Sequence, residues 1–170
     1  MQNFKEKLNK ITTFIFDVDG VLTDNKVLVM ENGDVVRNIH SKDGYALQLA
    51  IKKNYRLVIL SGGNNVAVKN LLLKTGVQHL FINQHDKLQC YKDFINENNL
   101  SDEEILFMGD DLPDYEVMSR VGVAACPNDS ATEIKAISIY VSPKNGGQGC
   151  VRDVIEQVMR VQGTWVIANW

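Results

Sequence analysis

The chain has 170 residues, with 18 Lys and Arg against 21 Asp and Glu for a net charge of −3. That length supports one well-formed core, with about 70% of the unfolded surface buried on folding, so a single domain spanning residues 1–170 is the default. The charge balance, with no Lys/Arg-rich run, argues against a nucleic-acid partner, and no apolar run is long enough to cross a bilayer.

In chain order, the apolar run at residues 11–16 reads as a buried strand that delivers Asp17, Asp19 and Gly20 at its end. Residues 26–30 and 35–38 flank Glu31-Asn-Gly-Asp34, a hairpin signal. Ala46, Leu47, Leu49, Ala50 and Ile51 give residues 43–53 a helical face; 56–60 is a strand, and 65–74 a helix stopped by Gly76. A short strand at 80–82, a helix at 87–98 and a strand at 105–108 follow. Pro113 suits the first turn of the next helix, which ends before Gly122. Residues 123–125 and 138–141 are strand-like, with 130–136 helical between them. Gly146-Gly-Gln-Gly149 precedes a last helix at about 150–161. Strands alternating with helices predict an α/β fold, a three-layer Rossmann-like sandwich around a mainly parallel sheet.

Cys90, Cys126 and Cys150 form no CxxC or Cys/His cluster and read as reduced thiols. The N-terminal residues lack the apolar core of a signal peptide, so a cytoplasmic location is expected.

Two carboxylates at i and i+2 on the end of a buried strand need a metal, a cation or a proton to be tolerable. Gly20 lets the backbone turn close to a ligand. Alone, Asp-x-Asp-Gly is equally a polar turn capping a strand. Three further features follow in order: Ser61 after Leu57-Val-Ile-Leu60, then Lys87, then Gly109-Asp-Asp-Leu-Pro-Asp114 after Ile105-Leu-Phe-Met108. Each lies at or just beyond a predicted strand end. In this order the motifs resemble the haloacid dehalogenase superfamily of phosphotransferases.

The resemblance implies Asp17 as nucleophile, Asp19 as general acid/base, and Ser61 and Lys87 as catalytic groups holding the phosphoryl oxygens and balancing charge. Ser61 and Gly62 would offer backbone N–H groups as well. It implies Mg²⁺ held by Asp17, Asp110 and the backbone carbonyl of Asp19, a set of hard oxygen donors that suits this ion. Asp111 and Asp114 would be supporting; Asp114 is otherwise a helix-start charge. Only a hairpin and a helix fit between Asp24 and Ser61, so no cap domain is expected.

Ser41-Lys-Asp-Gly-Tyr45, His85-Asp-Lys-Leu88, Val121-Gly-Val123 and Gly146-Gly-Gln-Gly-Cys-Val-Arg152 narrow the match. With the hairpin and the acidic motifs they resemble the 3-deoxy-D-manno-octulosonate 8-phosphate (KDO 8-phosphate) phosphatases over residues 13–161. These are capless homotetramers acting on a small-molecule sugar phosphate in lipopolysaccharide sugar biosynthesis. The resemblance adds His40, Ser41, Lys42, Asp43, Gly44 and Arg152 as substrate-binding candidates. Many members carry Thr-Gly-Arg where this chain has Ser61-Gly-Gly63, so the substrate carboxylate must be read from elsewhere or from a neighbouring subunit. Lys42 keeps a positive charge where many members have arginine. His79 and His85 are expected in loops rather than as metal ligands, since no ligand spacing accompanies them.

Competing readings are a phosphatase of a nine-carbon sialic-type sugar 9-phosphate, a catalytically inactive tetramerisation domain, a phosphoprotein phosphatase with an open site, and a phosphomutase. The last needs a cap to exclude water. Two apolar segments would make the tetramer: the hairpin at 26–38 and the tail at 163–170, with its two tryptophans.

Overall fold

The computed structural model describes residues 4–166. The elements are α1 Phe4–Asn9, β1 Thr13–Phe16, β2 Leu28–Val29, β3 Val35–Val36, α2 Ser41–Lys52, β4 Arg56–Leu60, α3 Val66–Lys74, β5 His79–Phe81, α4 Lys87–Glu97, β6 Ile105–Met108, α5 Tyr115–Met118, β7 Val123–Cys126, α6 Thr132–Ile137, β8 Tyr140–Val141 and α7 Cys150–Val161. Six strands form one parallel sheet in the order β5-β4-β1-β6-β7-β8, and β2 and β3 pair as a separate antiparallel ribbon.

The continuous apolar runs are explained by burial on both faces of a parallel sheet. Successive strand residues point to opposite faces. Phe14, Phe16, Leu57, Ile59, Leu106 and Met108 pack into one core with α2 and α7. Ile15, Val58, Leu60, Ile105 and Phe107 pack into the other with α4 and α5. Helices on both faces complete the three-layer α/β sandwich expected from the sequence.

β1 sits at the centre, registered with β4 as Phe16↔Ile59 and with β6 as Phe16↔Met108. Asp17, Ser61 and Asp110 therefore leave neighbouring parallel strands at the same edge. The crevice outside the carboxyl ends of such strands is where open α/β sheets place ligands.

Several boundaries shift. The first strand begins at Thr13 rather than Ile11, because Ile11 is buried in the connection from α1. Helix α1 was not anticipated; its six residues bury Leu8 alone, too short a pattern to read. The helix expected at 43–53 starts at Ser41, and the one after Pro113 is a tight turn over Leu112–Asp114 followed by one turn of α5. The hairpin pairs only two residues per strand, and those residues are exposed.

Between Leu22 and Ser41 the chain adds only this ribbon, with no cap. In the tail, the Tyr55 hydroxyl meets Thr164 Oγ1 at 2.8 Å, and Trp165 packs on the core of its own chain. The rest of the expected tail interface, residues 167–170, lies outside the described residues.

Candidate active site

The turn after β1 carries the first two acids. Gly20 adopts φ +81, and a Cβ there would overlap the Asp110 carboxylate, so only glycine lets this turn approach the acid after β6. The turn is braced from behind. Gly147 N–H donates to Val21 O at 2.9 Å, and a Cβ on Gly146 would overlap Gly20 O. The Gly146-Gly-Gln-Gly149 motif thus acts by allowing two backbones to touch.

Asp17, Asp110 and Asp114, all buried, bring one carboxylate oxygen each within 4.8 Å of one another. Lys87, buried at the start of α4, spans two of them. Its Nζ lies 2.9 Å from Asp17 Oδ2 and donates to Asp114 Oδ1 at 2.7 Å. Asp17 Oδ1 also accepts Val18 N–H at 2.6 Å. Asp114 Oδ2 accepts the backbone N–H of Asp110 at 3.1 Å, so both its oxygens are committed to orienting neighbours. Asp110 Oδ2 accepts from Asn25 Nδ2 at 3.1 Å.

One lysine does not neutralise three buried acids. Burial, then Asp114, pushes the Asp17 carboxyl up to about 7 against the pull of Lys87. Burial, then Asp17, Asp114 and Asp111, pushes Asp110 up to about 8. Burial alone would lower Lys87, but the two carboxylates outweigh it and raise the ammonium above its ordinary value. The cluster is short of positive charge, and its donors are hard oxygens, which suit a divalent cation such as Mg²⁺.

Asp19 stands on the open side. Arg37, just beyond β3, donates from Nε to Asp19 Oδ1 at 2.6 Å and from Nη2 to Oδ2 at 3.4 Å. Ser61 is buried after β4, and its Oγ accepts Gly63 N–H at 3.2 Å. The Ser61 backbone N–H is not free for a phosphoryl oxygen as expected, because it donates to Phe81 O at 2.8 Å, extending the pairing of β4 with β5. Gly62 is exposed beside it.

A family model of haloacid dehalogenase-like hydrolases matches residues 74–155. The KDO 8-phosphate phosphatase KdsC of Salmonella typhi is 31% identical over 157 residues, spanning 92% of this chain and 84% of the relative. The chain belongs to this phosphatase family. The Escherichia coli K12 member is 30% identical over the same shares. Among solved structures, the Moraxella catarrhalis KDO 8-phosphate phosphatase in complex with magnesium ion, phosphate ion and KDO superposes with TM-score 0.92 at 27% identity, covering 95% of this chain and 92% of that one. The Yersinia pestis phosphatase gives 0.91 at 27%, covering 94% and 86%.

The family's remaining candidate positions fall elsewhere in this chain. Asp43 is fully buried; its Oδ1 accepts Arg152 N–H at 2.7 Å, tying α2 to the start of α7, and burial raises its carboxyl. Its Oδ2 is buried without a hydrogen-bond partner. His40 precedes α2 without capping it, and its Nδ1 is buried without a partner. Ser41, Lys42 and Arg152 line, with Tyr45, a pocket of about 370 Å³ that none of the clustered acids borders. The Arg152 guanidinium lies 6.0 Å from the Tyr45 ring and 5.6 Å from the Trp165 ring. Gly44 borders another cavity, beside His40 and Leu47. Among the described residues, no hydrogen bond or ion pair links these positions to Asp17, Asp19 or Asp110. Asp111 is exposed and caps its own turn through Leu112 N–H at 2.8 Å, so it supports the acids less directly than Asp114 does. Sequence reasoning missed Asn25 and Arg37.

Proposed function

We propose that the chain is a Mg²⁺-dependent phosphoric monoester hydrolase that converts KDO 8-phosphate to KDO and phosphate. The observation that carries this reading is the buried Asp17–Lys87–Asp114 array beside Asp110, at the carboxyl ends of β1 and β6. The named relatives and the KDO-bound neighbour supply the substrate.

An Asp17 oxygen attacks phosphorus while the bond from phosphorus to the sugar oxygen breaks. Asp19, as general acid, supplies a proton to that leaving oxygen. The resulting aspartyl-phosphate divides one slow displacement into two easier ones. Asp19 then takes a proton from water, whose oxygen attacks phosphorus and returns Asp17 to the carboxylate with release of phosphate. Lys87 holds Asp17 in place and offsets charge on the phosphoryl group, and the Ser61 hydroxyl orients its oxygens. Asp17, Asp110 and the Asp19 carbonyl would hold Mg²⁺, which supplies positive charge for the phosphoryl oxygens.

A screen of phosphorylated eight- and nine-carbon keto acids against hexose phosphates tests the substrate. KDO 8-phosphate is expected to turn over fastest. A preference for a nine-carbon acid 9-phosphate would move the assignment to the sialic-type reaction, and hexose phosphates turning over equally well would reject both. EDTA is expected to stop turnover and added Mg²⁺ to restore it; hydrolysis that continues in EDTA would contradict the role given to Asp110.

The ribbon supports an assembly of several chains. Val27, Leu28, Val29, Met30, Val35 and Val36 are 41–67% exposed. A two-stranded hairpin alone in water is marginal, and an apolar one this exposed favours association. We expect a homotetramer of single-domain chains. Light scattering at micromolar concentration should give four times the chain mass; a monomer would reject the assembly. No described helix is long and apolar enough to cross a membrane, and the three cysteines are free, which fits a cytoplasmic location.

A further inference from the structure

We infer that Arg37 is the residue that reads the substrate carboxylate in this chain, seated on the Asp19 carboxylate toward which a side chain on Gly63 would point. The inference rests on the acidic-sugar reading above, because only a substrate with a carboxylate as well as a phosphate needs a second cation in the site.

Gly63 is the first observation. Its φ is not in the left-handed region, so its backbone conformation does not itself require glycine. A Cβ there would stand 3.0 Å from Asp19 Oδ2 and 3.6 Å from Ser61 Oγ. The direction of that missing side chain is therefore into the catalytic crevice.

The supply of positive charge is the second. Lys87 is buried and held by Asp17 and Asp114. Arg152 lies over two rings, and Lys42 borders the same separate pocket. Lys69 borders the narrow cleft with Asp19, Ser61 and Gly63 but is exposed, and no ion pair holds it there. Arg37 is fixed by two contacts to the Asp19 carboxylate, with its side chain only 15% exposed.

A guanidinium has five N–H donors in a planar fork, and Asp19 engages two of them. Three remain to meet a carboxylate, the partner whose planar geometry a guanidinium matches. The carrier of Arg37 is itself anchored near Gly63, since Asn65, which caps α3, donates from Nδ2 to Val35 O at 3.4 Å. One residue thus ties Asp19, the ribbon and the acid group of the sugar together.

The test compares kcat/KM for KDO 8-phosphate with that for a hexose 6-phosphate, which lacks the carboxylate, in wild type, Arg37→Met, Lys69→Met and Arg37→Met/Gly63→Arg. Losing a hydrogen-bonded charge pair with the substrate should reduce the acidic-to-neutral ratio in Arg37→Met by roughly 10- to 100-fold, mostly through KM for the acid. Lys69→Met should leave the ratio where it is. Gly63→Arg in the Arg37→Met background should recover at least about tenfold of the loss by returning a guanidinium to the neighbourhood of Asp19. Circular dichroism of each variant confirms the fold. An equal fall on both substrates would make Arg37 a positioning residue for Asp19 alone and overturn the proposal. Collapse of the ratio in Lys69→Met instead would give the role to Lys69. A wild-type enzyme without preference for acidic sugars would overturn the substrate reading itself, a result distinct from both.

Discussion

Asp17→Asn should abolish phosphate release, with a fall of roughly 10⁴-fold or more, the scale seen when a covalent nucleophile is removed. The substitution is nearly isosteric. Its amide oxygen can still accept Val18 N–H, the bond that fixes the side chain as the chain leaves β1. What disappears is the lone pair that attacks phosphorus and one negative charge of the buried cluster. Lys87 retains Asp114 as a partner. Because burial and Asp114 push the Asp17 carboxyl up to about 7, the native state without metal holds that charge at a cost above neutral pH. Thermal unfolding in EDTA at pH 8 should therefore leave the variant at least as stable as wild type, while phosphate release is lost. Activity within tenfold of wild type would remove Asp17 from the nucleophile's place. A melting temperature many degrees lower would mean that the loss reflects misfolding rather than chemistry.

The parts of this protein that were legible in its sequence are those whose causes are local. Phe14, Ile15 and Phe16 read as a buried strand because both faces of β1 are covered, which leaves an unbroken apolar run before Asp17. The acids read as a site because they stand at the ends of such runs, and Lys87 through its place after Ser61 and before Asp110 in the motif order. The rest depends on contacts between distant segments. Asp43 was a substrate-binding candidate through the family resemblance, yet it is fully buried, and its Oδ1 accepts the N–H of Arg152, 109 residues away. The Ser61 N–H looked available until β5 paired alongside β4. Arg37 gave no local signal, because only the return of the ribbon over the turn at Asp19 brings the two together. The ribbon shows a second limit. Asn32-Gly33 marked the turn correctly, but alternation could not set the strand lengths where Leu28, Val29, Val35 and Val36 have no buried face to satisfy.

Lys87→Met should remove activity by roughly 10³-fold and, unlike Asp17→Asn, should also weaken the fold. The ammonium is buried between Asp17 and Asp114, and deleting one partner of a buried ion pair costs about 3–5 kcal/mol when the remaining charge is left uncompensated. The cluster has a way to lessen that cost, which is to bind a proton. In the wild type without metal, burial and the neighbouring carboxylates push the Asp17 and Asp110 carboxyls up to about 7 and about 8, from an ordinary 3.8. Between those values the folded chain holds protons that the unfolded chain has released. Stability contributed by these two groups is therefore fully present below about pH 4 and is lost as pH rises through 7 to 8. Removing Lys87 takes away the cation that opposes both shifts, so the variant depends on protonation even more. Urea unfolding in EDTA should show a loss of about 3 kcal/mol or more at pH 8 and a smaller one at pH 5.5. Mg²⁺ at pH 8 should recover part of it by supplying the missing positive charge. Equal losses at both pH values would show that the lysine stabilises through packing of its alkyl chain, and a loss under about 1 kcal/mol at pH 8, the range of an exposed pair, would mean that the two carboxylates are solvated in solution.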